Sequence, residues 1–144
     1  MSDEGKRGRI ARLVWLKERR RDAAQAYLAK AEAEARAAAE AAEQAEQRFE
    51  DAAEDPSAGP LSAWIVARQH VTSLGVQAAG AQTARRSAEE EAGARRSQAH
   101  HAERELRKME RWSEAERARA RVAGQRKEQG ATDELAAQLT ERKR

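Results

Sequence analysis

The sequence predicts an all-α fold: a two-helix antiparallel coiled-coil hairpin drawn out into an elongated rod. Three observations predict it. Charged residues make up 37% of the 144 residues and aromatics only 3%, while alanine supplies most of the 40% hydrophobic fraction. One buried alanine methyl removes little apolar area, so a thick globular core is not available. Apolar residues then recur at alternating steps of three and four along two long arms, which is the spacing of a coiled-coil seam. Finally, the only two prolines, Pro56 and Pro60, bracket Ser57, Ala58 and Gly59. Proline cannot continue a helix interior and glycine lets the chain turn, so this is the one clear break.

The first arm runs from about residue 6 to 54. Its seam reads Ala24, Leu28, Ala31, Ala35, Ala38, Ala42, Ala45, Phe49 and Ala52, all apolar. Upstream the stripe drifts: Ile10, Leu13, Val14 and Leu16 cluster, and Arg19, Arg20 and Arg21 interrupt. The turn is expected over 55–61 and the second helix over about 62–127, with Ser62 as its N-cap. The second seam reads Trp64, Ala67, Val71, Leu74, Ala78, Ala81, Arg85, Ala88, Ala92, Arg95, Ala99, Ala102, Leu106, Met109, Ser113, Glu116, Ala120 and Ala123. Arg85, Arg95, Ser113 and Glu116 are its polar exceptions. Gly75, Gly80 and Gly93 each weaken the helix by about 1 kcal/mol relative to alanine. Gly124 and Gly130 predict that the helix ends near there, leaving a C-terminal segment over 128–144 that restarts with Thr132 as a cap. The chain reads as a single coiled-coil domain over 1–144, with the second arm overhanging the first.

Composition also bounds function. There is no cysteine, which removes disulfides, thiolate metal sites and a cysteine nucleophile. No run of 18 apolar residues occurs, so no membrane span is expected. The opening MSDEGKRGRIARLVWLKERRR has no apolar h-region of a signal peptide. A cytoplasmic location is expected. Net charge is +3 with both signs interspersed, the pattern of a solvated helical surface.

The sequence offers little that could carry chemistry. His100 and His101 are adjacent and point about 100° apart on a helix, so they do not form a metal pair at helical spacing. His70 is alone. No Gly-rich phosphate loop, GxSxG or HExxH is present. Paired catalytic carboxylates need a pocket, which a two-helix rod does not offer. The reading is therefore non-enzymatic, with no catalytic residue, metal or cofactor. Arg19–Arg21, Arg95–Arg96 and Arg117, Arg119 and Arg121 have the charge to meet phosphates, but interleaved glutamates favour ion pairing along the helix. Trp64 falls on the seam and is expected to pack there. Trp15 and Trp112 lie near the open end; the sequence leaves open whether they pack together or stand exposed for a partner.

The chain resembles the FliJ/YscO family, the small stalk proteins of flagellar and injectisome type III export. The resemblance begins with Leu13, Val14, Trp15, Leu16 and Lys17, followed by basic residues and Asp22, Ala23 and Ala24. It continues through the turn at Ser57, Ala58 and Gly59 to Trp64 and Ile65. It ends with Arg126, Lys127 and Glu128 and then Asp133, Glu134 and Leu135, similar to an Asp-Glu signature near the family's C-terminus. It implies a central stalk of a type III secretion system. The paired terminal ends enter a hexameric export ATPase, and the turn side faces the cytoplasmic domain of an export-gate membrane protein. Export chaperones are further implied partners, and the implied location is cytoplasmic, at the inner-membrane base of the apparatus. The ATPase-binding tip would comprise Ile10, Leu13, Val14, Trp15, Leu16, Arg19, Arg20 and Arg21, with Leu135 and Leu139 on the other side. The gate-binding positions would be His70, Leu74, Gln77 and Ala81.

Two other classes stay open on the sequence. One is a generic scaffold or adaptor coiled coil. The other is a basic helical nucleic-acid-binding protein, against which the mixed charge argues. A hairpin that closes on itself is expected to be monomeric in isolation at 16.0 kDa.

Overall fold

The computed structural model of the chain describes residues 3–54 and 59–142. Two helices pack against each other: α1, Asp3–Glu54, and α2, Leu61–Arg142. Among the described residues there is no strand, and no helix is long and apolar enough to cross a membrane. The chain divides into two compact units. The terminal unit is Met1–Arg20 with Ala102–Arg144, and the turn unit is Arg21–His101. In each unit α1 and α2 run antiparallel. In the terminal unit, Lys6 bonds Glu116 at 2.9 Å and Lys17 bonds Glu105 at 3.4 Å, so α2 numbers fall as α1 numbers rise. In the turn unit, Arg96 bonds Glu32 at 3.0 Å, while Phe49 lies on Gly75.

The expected first seam is sheltered at every position from Ala24 to Ala52. It does not drift upstream, however. Ile10, Val14, Lys17 and Arg21 continue the same alternating steps, and all four are sheltered. Lys17 and Arg21 occupy seam positions that carry no apolar signature in the sequence. A long basic side chain can bury its stem and carry its charge to the rim. The expected second seam is sheltered from Ala67 to Ala120, including Arg85, Arg95, Ser113 and Glu116. The two ends differ from expectation. Trp64 is 46% exposed and does not pack in the seam; the guanidinium of Arg68, one turn on, lies 5.2 Å from its ring centroid instead. Ala123 is exposed as well.

Helix boundaries follow the backbone's hydrogen-bond needs. The first helical N–H groups of α2, from Ala63 and Trp64, donate to the Pro60 carbonyl at 2.9 and 3.2 Å. Pro60 therefore stands at the N-cap position, and Ser62 lies inside the first turn rather than capping it. The expected turn residues Pro56, Ser57 and Ala58 lie outside the described residues. At the other end, α2 does not stop near residue 127. It continues through Gly124 and Gly130 to Arg142, because isolated glycines lower helix stability without ending it when strong helix formers surround them. Thr132 is not a cap there; its hydroxyl donates to the Glu128 carbonyl one turn back, at 2.8 Å.

The core is thin. Leu106 is the largest fully buried side chain, at 1% exposure, and Ile10 is buried in the same unit. Most other buried positions are alanines: Ala31, Ala42, Ala78, Ala92 and Ala99. Buried side-chain N and O atoms without a partner are absent among the described residues. Leu106 thus holds a disproportionate share of the apolar burial. Leu106→Ala is expected to destabilise the chain by about 3 kcal/mol through lost transfer energy and the cavity left behind, measured by urea unfolding followed by circular dichroism.

The two glutamates that pair with α1 lysines in the terminal unit respond to acid. Hydrogen bonds from Lys108 and then Lys17 hold the Glu105 carboxyl below its ordinary value of 4.5. A hydrogen bond from Lys6 does the same for Glu116. A carboxylate whose folded pKa is depressed contributes stability above its unfolded pKa and loses it as pH falls through the folded value. The thermal midpoint is therefore expected to hold from neutral pH down to about 5 and to fall below 4.5. In E105Q/E116Q part of that acid loss should disappear, as read by melting curves across the pH range.

Candidate interaction surfaces

Within the terminal unit, α1 splits the expected tip residues between two faces. Ile10 is 4% exposed and turned into the seam, with Val14 half-buried beside it. Leu13, Trp15 and Leu16 fall off the seam and are exposed. The guanidinium of Arg19 lies 5.3 Å from the Trp15 ring centroid, an i, i+4 stack on an indole that stays 54% exposed. A groove of about 410 Å³ runs beside Trp15, lined by Ala11, Val14, Glu18, Glu110, Ser113, Glu114 and Arg117. Arg20 is exposed. Trp112 is 40% exposed, so both open-end tryptophans present surface.

Leu135 and Leu139 do not join this cluster. Lys6, near the start of α1, already meets Glu116, and every residue from 125 to 142 is exposed. Leu135 sits about 28 Å further along α2 than Glu116 at 1.5 Å per residue. The tip is therefore two surfaces: the flank around Leu13, Trp15 and Leu16, and an α2 segment with no α1 opposite it. The terminal unit carries 19 Lys and Arg against 12 Asp and Glu, a net of +7, while the turn unit carries 9 against 13, a net of −4. Arg7, Arg117 and Arg121 converge on one groove of the terminal unit, together with Glu114 and Ala120.

In the turn unit, Arg21 pairs with Asp22 at 2.8 Å. The four expected gate positions straddle the seam. Leu74 and Ala81 are half-buried seam residues, whereas His70 and Gln77 are exposed beside them. The larger exposed apolar group lies earlier: Leu61, Trp64, Ile65 and Val66 in the first turns of α2, with Val76 further on. Val66 and His70 line one shallow groove with Ser62, Ala63 and Ala67. No Asp or Glu occurs from residue 61 to 88. That acid-free run was readable from the sequence alone and marks this surface more sharply than the single Leu74 does. Among the described residues, no group of three or more His, Cys, Asp or Glu is placed to hold a metal ion.

Comparison with known proteins bears on these surfaces. No curated protein and no solved structure matches the chain. A family model described as Flagellar FliJ protein matches residues 6–144, spanning both helices and both of the surfaces above. On that match, which covers nearly the whole chain, the protein belongs to the flagellar FliJ family.

Proposed function

We propose that the chain is a non-enzymatic central stalk of a type III export apparatus, whose terminal unit enters the hexameric export ATPase. Membership of the FliJ family supports the export role. The observation that carries the finer reading is the terminal unit itself. It concentrates net positive charge, and it leaves Leu13, Trp15 and Leu16 exposed beside a narrow two-helix seam. Exposed tryptophan with flanking arginine is a composition suited to protein contacts. Leu135 and Leu139, on unaccompanied α2, give the same unit a second contact of its own. Arg19, Arg20 and Arg21 supply charge that meets acidic side chains of the ring.

The turn unit is the end that meets the export gate's cytoplasmic domain, through the first turns of α2 and on to His70, Leu74, Gln77 and Ala81. Leu74 serves the seam as well, so its share of that contact is smaller than those of His70 and Gln77. Export chaperones are further partners in this reading, and the place of work is the cytoplasmic face of the inner membrane.

The test uses the export ATPase of the same organism. Adding the chain is expected to raise ATP hydrolysis and hexamer formation. A chain lacking 125–144 or carrying Trp15→Ala should lose most of that stimulation while remaining helical by circular dichroism. Absence of both binding and stimulation by the full chain would refute the stalk reading. Charge reversal at Arg19, Arg20 and Arg21 is expected to weaken ATPase binding by about tenfold at low salt and less at high salt, since exposed charges are screened.

A further inference from the structure

We infer that the middle of the turn unit is a soft joint, at which the two helices part locally while the flanking layers stay closed. On α1 the seam of this unit carries Leu28 and Phe49, and every seam position between them is alanine: Ala31, Ala35, Ala38, Ala42 and Ala45. On α2 the seam beyond Leu74 offers Ala78, Ala81, Ala88 and Ala92, with Arg85 and Arg95 in the remaining places. Each alanine brings one methyl, so each layer of this stretch buries a fraction of what a leucine or phenylalanine layer buries.

The arginines do little to close it. Arg85 hydrogen-bonds Glu89 at 2.8 Å and Arg95 hydrogen-bonds Glu91 at 2.7 Å, both on their own helix. Cross-helix contacts of charged side chains here are few. Arg96 meets Glu32, the Arg95 guanidinium lies 5.2 Å from the Tyr27 ring centroid, and Glu43 acts on Arg85 through its charge. A groove of about 460 Å³ opens along the same stretch, lined by Glu32, Ala35, Arg36, Ala39, Glu89, Ala92 and Arg96.

The glycines locate the joint. A Cβ at Gly75 would lie 3.1 Å from the Phe49 ring, so that glycine exists for close packing. Gly80 and Gly93 have nothing within 4 Å of a Cβ. They weaken α2 relative to alanine without any packing return, and they bracket the seam positions Ala81, Arg85, Ala88 and Ala92, which offer no bulky apolar side chain. Where buried contact is small and backbone propensity is lowered, local opening is favoured over global unfolding.

Hydrogen–deuterium exchange of the full chain tests this. Amides of 31–45 and 78–93 are expected to exchange at least about tenfold faster than those of 46–53 and 102–113. The double variant G80A/G93A should slow exchange in 78–93 and also across the seam in 31–45, because parting of the pair exposes both helices. Equal protection along the unit would overturn the inference. So would slowing confined to α2, which would mean that one helix frays while the pair stays closed.

Discussion

The fold depends on burial along one seam. α1 and α2 share no disulfide, since the chain has no cysteine, and the described residues show no sheet to tie them. What holds them is a strip of small apolar contacts repeated at alternating steps of three and four. Where the strip has bulk, as at Leu106 and Ile10 or at Phe49 on Gly75, contact is firm. Alanine alone brings the backbones close but contributes little burial per layer. Helix propensity therefore has to supply part of the stability, and the charged outer surface adds i, i+3 and i, i+4 pairs such as Arg107 with Glu103 and Lys108 with Glu105, each worth a few tenths of a kcal/mol.

A seam of identical alanines leaves the register weakly specified, since a shift of one heptad would bury nearly the same area. Two cross-helix ion pairs along the seam's edge answer this. Lys17 opposite Glu105, and Lys6 opposite Glu116, pair only in one alignment. Their exposed rims limit what each pair adds to stability, but a shifted alignment would separate both lysines from their carboxylates at once. These two cross-helix pairs thus specify alignment more than they add stability.

Much of this was legible in the residues. The alternating apolar steps located both seams, because the heptad period is a property of the chain itself. The Pro/Gly break located the end of α1. What sequence missed has physical causes. Lys17 and Arg21 hide in the seam because their apolar stems do the packing. Trp64 reads as core by spacing, yet it lies in the first turns of α2 and is 46% exposed. Gly124 and Gly130 read as an end because glycine lowers helix stability, but the residues around them carry the helix on to Arg142. Ile10 and Leu135 read as one tip only if both arms finish together, and α2 continues well past the start of α1. The family was legible as well, through short stretches whose order along the chain, rather than any one of them, identified it.

The alignment of the two helices is the claim on which the surfaces, the proposed contacts and the soft joint all rest. Zero-length carbodiimide coupling joins an amine only to a carboxylate it touches, so it reads alignment directly in the native chain. Coupling followed by peptide mass spectrometry is predicted to yield Lys6 joined to Glu116 and Lys17 joined to Glu105 within one chain. Coupling of Lys6 or Lys17 to acids a heptad away, or to Glu105 and Glu116 of a second copy, would contradict the antiparallel register.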